Sequence, residues 1–100
     1  MLKNITGNEV KTLWQEGAIF IDIRDKEEYE KEKIQGAINI ELNEIDSIIT
    51  KDIAKEKHIV VYCTSGVRSI VAGERLCELG YKNVYNLIGG ISSLKKLRTR

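Results

Sequence analysis

The chain is short of several residue types and contains no long apolar run. No stretch approaches the ~18 apolar residues that span a bilayer, and residues 1–6 hold no apolar core of signal-peptide length. We therefore expect a cytoplasmic protein with no membrane partner, unless a segment upstream of residue 1 is missing. Proline is absent altogether, and the sequence offers no functional account of that absence.

The sequence also lacks an excess of charge of either sign. Sixteen Lys and Arg against fifteen Asp and Glu leave a net charge of +1, which gives no electrostatic reason to expect a nucleic acid or an anionic membrane as partner. The hydrophobic content of 42% and the charged content of 31% are typical of globular proteins. With no repeat, linker or low-complexity segment, residues 1–100 are expected to form one domain with one core and one site.

Cysteine and histidine are scarce. Two cysteines and one histidine are too few for a zinc site, and we predict neither a metal nor a cofactor. If residues 68–79 form a helix, Cys77 lies ~13 Å along it, whereas a disulfide to Cys63 allows a Cα separation of only ~7 Å. We expect Cys77 to pack against the sheet or to be half exposed. We expect His58 to be a surface residue rather than the partner of a Cys–His nucleophile pair.

One stretch, residues 60–69, reads VVYCTSGVRS and stands out from the rest. It begins as a short apolar run typical of a buried strand and resumes at Arg68 as a helical pattern. The loop between them begins at Cys63, and Gly66 suits its tightest part, where a side chain would block close approach. Main-chain N–H groups of such a loop converge on one point, with the positive end of the helix behind them. These groups favour a thiolate at Cys63, and Arg68 adds a permanent cation.

A free cysteine at a strand end is often no more than a small buried hydrophobe. Here glycine and serine surround the sulfur and an arginine and a helix follow at once, so we interpret Cys63 as reactive. Two roles stay open at this point. Arg68 either faces the pocket or pairs with an acidic residue such as Asp22, and Ser69 either binds substrate or caps the helix.

Helical and strand patterns alternate along the chain. The predicted helices lie at 8–16, 26–33, 41–49, 68–79 and 91–97, and the predicted strands at 18–23, 36–40, 58–62 and 83–87. We interpret the charge run 26–33 as a solvated helix rather than a binding surface. In the helix at 41–49 the inward residues are predicted to be Leu42, Ile45, Ile48 and Ile49. The alternation indicates an α/β fold with a parallel sheet and helices on both faces. Cys63 falls outside the carboxyl ends of the strands, where such sheets place their sites.

Five blocks of sequence occur in a recognisable order between Ile5 and Leu94. They are IDIR at 21–24 with Glu28-Tyr29, IQGAINI at 34–40, the Cys63 loop with Arg68-Ser69, GYKNVY at 80–85 and LIGGI at 87–91. Together they resemble a single-domain rhodanese, a rhodanese-like sulfurtransferase, over nearly the whole chain. The resemblance implies a three-layer fold in which a central, mostly parallel sheet lies between helices.

The resemblance also implies an enzyme that moves a sulfane sulfur through a persulfide on Cys63. The donor would be thiosulfate, a polysulfide or a persulfide, and the acceptor cyanide, a small thiol or a protein sulfur acceptor. Cys63 is then the catalytic residue, and the substrate-binding positions are those of the loop: Thr64, Ser65, Gly66, Val67, Arg68 and Ser69. Asp22 and Arg24 are expected to support the strand ends beside the loop. Thr64 stands where members that prefer thiosulfate often carry a basic residue.

The length of the loop separates this prediction from its alternatives. Four residues lie between Cys63 and Arg68, one fewer than in the phosphatases and arsenate reductases, whose cradle must enclose a tetrahedral anion. The short loop therefore favours sulfur transfer over phosphate or arsenate chemistry. A carrier of sulfur between proteins, or a partner-binding rhodanese module, stays open as an alternative. A catalytically dead regulatory domain is disfavoured because the cysteine is present.

Overall fold

The computed structural model describes residues 1–94 and the backbone of residues 98 and 99. Its elements in order are β1 (Lys3–Ile5), α1 (Gly7–Gln15), β2 (Ile19–Asp22), α2 (Lys26–Lys31), β3 (Lys33–Ile34), β4 (Ile38–Asn39), a 3₁₀ helix (Leu42–Thr50), β5 (His58–Tyr62), α3 (Arg68–Glu78), β6 (Asn83–Leu87), a 3₁₀ turn (Ile91–Ser93) and β7 (Arg98–Thr99). Five strands form one parallel sheet in the order β1-β6-β5-β2-β4. Strands β3 and β7 form a separate antiparallel pair. The predicted α/β fold with a parallel sheet is confirmed.

Strand β5 lies at the centre of the sheet and is buried on both faces. Ile59 and Val61 point into a core formed with α3 and the 3₁₀ helix. Val60 and Tyr62 point into a second core formed with α1 and the 3₁₀ turn. Each of these four side chains has no exposed surface, which explains why the strand carries no charged or amide side chain after the exposed His58 at its start. The burial fixes the position of the strand end from which the Cys63 loop departs.

Helix α3 packs closely on the sheet. Ala72 and Leu76 are fully buried, and Leu79 packs against the same core. A Cβ atom at Gly73 would lie 2.6 Å from the Leu2 side chain and 3.3 Å from Val61, so a larger residue would have to displace the end of Leu2 and press on Val61. The N-terminal end of α3 is thereby held beside the end of β5.

The predicted helix at 41–49 is a 3₁₀ helix, kinked at Glu44. With three residues per turn, the side chains of Leu42, Ile45 and Ile48 share the face that packs against the core. Ile49 comes one residue later and is 60% exposed. The assignment of Ile49 to the inward face was therefore wrong, because it assumed α-helical spacing.

The C-terminal region also differs from the prediction. Instead of a helix from residue 91, the chain makes one 3₁₀ turn and becomes extended at Leu94, with φ −106° and ψ 148°. The remainder of the predicted helix, residues 95–97, lies outside the described residues. Within the part of the chain that is described, no helix has the length and apolarity that a membrane span requires.

Candidate active site

The Cys63 loop begins at the carboxyl edge of the central strand. β5 ends at Tyr62 and is flanked by β6 on one side and β2 on the other, and α3 begins at Arg68. The strand–loop–helix arrangement predicted from residues 60–69 is therefore present. Cys63 is 1% exposed, so its sulfur lies at the bottom of the loop rather than on the surface.

A backbone amide and a hydroxyl lie within hydrogen-bond distance of the Cys63 sulfur. The amide of Gly66 donates to Sγ at 3.1 Å, and the hydroxyl of Ser69 lies 3.4 Å from it. Burial by itself raises the pKa of the thiol. The Ser69 hydroxyl and the amides of Ser69, Gly66 and Ser65 outweigh that effect, so the pKa of Cys63 lies below the ordinary value of a thiol. A lowered pKa populates the thiolate, which is the nucleophilic form of cysteine.

The turn after β6 binds the carbonyl groups of the loop. The amide of Ile91 donates to the Cys63 carbonyl at 2.9 Å, and that of Ser92 donates to the Thr64 carbonyl at 3.2 Å. Gly90 permits this contact, since a Cβ atom there would lie 2.4 Å from both carbonyl oxygens and its φ is +59°. Because these carbonyls are bound by the turn, the groups that the loop offers to the sulfur are amides.

Asn86 in β6 supports the loop from behind and was not identified from the sequence. Its Nδ2 donates to Asn4 Oδ1 at 3.0 Å and to the Gly66 carbonyl at 3.2 Å. With both protons of the amide used, Oδ1 accepts from the Ser69 hydroxyl at 2.5 Å. Asn86 is 1% exposed and alternates with buried Val84 along β6. The sequence signal that could have identified Asn86 is a polar residue at an inward position of a strand.

Ser69 does not cap helix α3. The N-cap is Val67, and no side chain caps the helix. Ser69 is the second helical residue and is fully buried, so its hydroxyl faces inward between Asn86 and the thiol. Of the two roles left open for Ser69, the helix cap is therefore wrong, and the structure shows instead a contact between its hydroxyl and the Cys63 sulfur.

Arg68 pairs with an acidic residue, but the partner is Glu28 and not Asp22. Its guanidinium lies 3.6 Å from the Glu28 carboxylate and 3.5 Å from the Thr64 hydroxyl. The Thr64 hydroxyl in turn donates to Glu28 at 3.3 Å. The two charged side chains are 44% and 39% exposed. Glu28 belongs to the charge run interpreted as solvated, yet it reaches across to the entrance of the loop.

Asp22 is already bound to Arg24. The guanidinium of Arg24 donates to both carboxylate oxygens, at 3.0 Å and 2.7 Å, and its backbone amide donates at 2.9 Å. Arg24 also donates to the Glu32 carbonyl. Burial lowers the pKa of the guanidinium, but the carboxylate outweighs this effect and the pKa is raised. Since Asp22 is level with Tyr62 in the sheet, the pair lies at the end of β2 beside the loop.

The remaining candidates lie away from the loop. His58 is at the opposite end of β5, roughly 16 Å from Cys63 at the rise of a strand, and its Nδ1 lies 2.7 Å from the Tyr85 hydroxyl. A Cys63–His58 pair is therefore excluded. Cys77 is a free, half-buried thiol that packs against the core, as predicted. Among the described residues, no three His, Cys, Asp or Glu side chains cluster as metal ligands would.

Comparison with known proteins identifies the family. The family model described as Rhodanese-like domain matches residues 6–97. The chain belongs to the rhodanese family. It is 36% identical over 96 residues to the thiosulfate sulfurtransferase GlpE of Coxiella burnetii, covering 95% of this chain and 89% of that one. It is 42% identical over 76 residues to the thiosulfate sulfurtransferase PspE of Escherichia coli, covering 75% and 72%.

A solved structure agrees with these relatives. A rhodanese from E. coli, determined with anions, superposes with a TM-score of 0.75 at 36% identity, covering 84% of this chain and 99% of that one. The rhodanese fold predicted from the sequence blocks is confirmed, and so is the assignment as an enzyme of the sulfurtransferase type.

Ser69 is expected to control the acidity of the thiol in this rhodanese. Ser69 has one hydroxyl proton, which Asn86 Oδ1 accepts beside the neutral thiol and which can turn to the sulfur 3.4 Å away when Cys63 ionises. Ser69→Ala removes that proton, so the pKa of Cys63 should rise and alkylation by iodoacetamide should need a higher pH. The change also leaves Asn86 Oδ1 buried without its partner, which should lower the free energy of unfolding by about 1–3 kcal/mol. The pH profile of alkylation, followed by mass spectrometry on folded protein, measures the first effect. Ser65→Ala is the matched control, because Ser65 contributes only its backbone amide. An unshifted profile for Ser69→Ala would contradict the assigned role.

Proposed function

We propose that this rhodanese transfers a sulfane sulfur from thiosulfate, a polysulfide or a persulfide to cyanide or a thiol through a persulfide on Cys63. The observation that carries the proposal is the surrounding of one buried sulfur by the Gly66 amide and the Ser69 hydroxyl, with its pKa lowered. Such a thiol is ionised more readily than an ordinary cysteine. The hydrogen-bonding groups around it also stabilise the negative charge of the sulfur.

The reaction has two displacement steps. The Cys63 thiolate attacks the outer sulfur of the donor, so that a new S–S bond forms as the donor's own bond to that sulfur breaks. The bonding electron pair leaves with the remainder of the donor, which is sulfite when the donor is thiosulfate. The acceptor then attacks the terminal persulfide sulfur and takes it, and the Cys63 thiolate is regenerated.

The loop residues have distinct roles in this proposal. The amides from Thr64 to Ser69 stabilise the charge on the thiolate and afterwards on the terminal sulfur of the persulfide, as an oxyanion hole does for oxygen. Gly66 keeps the loop close, because a Cβ atom there would lie 2.9 Å from Gly89 N and Leu87 O. Arg68 lies at the entrance, where it meets an incoming donor. Asp22 and Arg24 position the neighbouring strand end.

A carrier that receives and delivers sulfur between proteins is the second candidate. Val67 is an apolar residue of the loop, and it is 69% exposed, a feature that suits contact with a protein surface. The two candidates share the Cys63 persulfide and differ in turnover. A carrier gives a stable persulfide and slow turnover with small donors, whereas the enzyme gives rapid turnover with cyanide or a small thiol.

The test is the intact mass of the protein after reaction with thiosulfate or polysulfide. We expect a gain of about 32 Da, one sulfur atom, that is lost on addition of cyanide. Peptide mapping should place the added sulfur on Cys63 and leave Cys77 unmodified. An aryl phosphate incubated in parallel should be neither hydrolysed nor covalently bound. A reduced, accessible Cys63 that gains no sulfur from either donor would exclude the proposal.

A further inference from the structure

Three side chains form an entrance cluster over the Cys63 loop: Glu28, Thr64 and Arg68. Each touches the other two, at 3.3–3.6 Å. Glu28 is supplied by α2, whereas the other two belong to the loop and to the start of α3. The cluster therefore places a carboxylate from a distant part of the chain beside the cation that meets a donor.

The charges of the entrance cluster offset each other. Arg68 contributes one positive charge and Glu28 one negative charge, and the threonine contributes none. Both charged groups keep more than a third of their side-chain surface exposed, so each acts on a donor as it approaches. The interaction energy with an ion scales with the charge of that ion. The carboxylate thus opposes a dianion twice as strongly as a monoanion.

Two apolar side chains on the segments that form and support the loop are exposed. Val67, which precedes Arg68, is 69% exposed, and Ile88 is 51% exposed. Ile88 directly precedes Gly89, whose amide nitrogen would lie 2.9 Å from a Cβ atom placed on Gly66. These side chains offer an apolar contact to an organic group carried by the sulfur donor. A small inorganic dianion has no apolar group that could make such a contact.

We propose that Glu28 is a specificity-determining residue that disfavours thiosulfate relative to singly charged donors whose sulfane sulfur is carried by an organic group. The inference rests on the proposed persulfide function. Glu28 acts through the electric field at the entrance and through Arg68, and it takes no part in bond making.

Thiosulfate and benzenethiosulfonate form a matched pair of donors for this question. In each, the Cys63 thiolate attacks the outer sulfur, a persulfide forms, and the S–S bond of the donor breaks. The electron pair leaves with sulfite in one case and with benzenesulfinate in the other. The reactions differ in the donor's charge, which is −2 or −1, and in the phenyl group that replaces one oxygen.

The experiment compares Glu28→Gln with Glu30→Gln, which removes one negative charge from the same helix at an exposed position. For Glu28→Gln we expect kcat/KM to rise about tenfold with thiosulfate but only about threefold with benzenethiosulfonate. The interaction energy with Glu28 is twice as large for a dianion, so the factor by which kcat/KM changes is the square of the factor for a monoanion. The change should appear mainly in KM and shrink as salt is added. The wild type should favour benzenethiosulfonate, and Glu30→Gln should behave like the wild type.

A second readout does not depend on sulfur transfer. Cys63 is alkylated by iodoacetate, an anion, and by iodoacetamide, its neutral counterpart. Glu28→Gln should raise the ratio of the iodoacetate rate to the iodoacetamide rate about threefold at low salt, and Glu30→Gln should leave it unchanged. An unchanged ratio, or equal changes of kcat/KM for the two sulfur donors, would overturn the inference and make Glu28 a purely structural partner of Arg68. Failure of both donors to load Cys63, with the alkylation ratio still shifted, would instead overturn the proposed function.

Discussion

Cys63→Ser will load no sulfur from thiosulfate or polysulfide, and its turnover will fall by about three orders of magnitude or more. A serine hydroxyl stays protonated where the cysteine thiol ionises, so the variant has no nucleophile in the loop. The two side chains are close in size, and the hydroxyl can accept the Gly66 amide that now donates to the sulfur. The fold should therefore survive, and the free energy of unfolding should change by no more than about 1 kcal/mol. Thiocyanate production from cyanide and intact mass measure the loss.

Cys77→Ser is the matched control for that experiment. Cys77 is the second free thiol of the chain, and its serine variant should load sulfur and turn over at the wild-type rate. If Cys63→Ser still loaded sulfur, a residue other than Cys63 would have to be the nucleophile. Loading that disappears in Cys77→Ser would show that sulfur passes through the second thiol.

The sequence predicts those parts of the site that depend on neighbours along the chain. Residues 60–69 specify a buried strand, a tight loop and a helix because an apolar run, a glycine and a helical pattern follow one another within ten positions. The thiol, the Gly66 amide and the direction of the pKa shift all follow from that local geometry. The parallel sheet follows equally from the alternation of strands with helices.

The parts that the sequence missed depend on contacts between distant positions. Glu28 is 36 positions from Thr64 and Asn86 is 17 from Ser69. The periodicity of a single segment cannot predict contacts between positions so far apart. In isolation the first of these residues reads as one charge among several on a solvated helix. The second reads as a polar interruption of a strand. Only the packing of α2 and β6 around the loop gives them a role.

Strand β1 was missed for a different reason. It has three residues at the edge of the sheet, and only Ile5 among them is buried, so no alternation is long enough to detect. Its role comes from pairing, because Lys3–Ile5 lie parallel to Tyr85–Leu87 of β6. That pairing brings Asn4 within hydrogen-bond distance of Asn86, which in turn supports the Cys63 loop.

Asp22→Asn is expected to destabilise the fold without changing the chemistry of the thiol. Asp22 is fully buried and Arg24 is 5% exposed. Removing the carboxylate charge therefore leaves a guanidinium buried without its counterion, which should cost about 3–5 kcal/mol. A domain of this size has only about 5–15 kcal/mol of stability, so the variant should unfold at a much lower urea concentration. Equilibrium denaturation in urea measures the change, with Asp52→Asn, at an exposed position, as the control.

The double variant Asp22→Asn/Arg24→Met distinguishes two contributions to the free energy of unfolding: the penalty of burying an unpaired Arg24 and the stabilisation that the ion pair itself provides. Because the methionine removes the uncompensated cation, we expect the double variant to be more stable than Asp22→Asn alone, with a coupling of about 1–3 kcal/mol. Folded Asp22→Asn should still load sulfur on Cys63 within about threefold of the wild-type rate. Asp22 stabilises the fold and makes no contact with the reacting atoms in the proposed mechanism, so its loss should not change the energy of the transition state. Loss of loading at an unchanged urea midpoint would contradict this and assign Asp22 a part in the reaction. The urea midpoint and the loading rate therefore distinguish support of the strand end from catalysis at its tip.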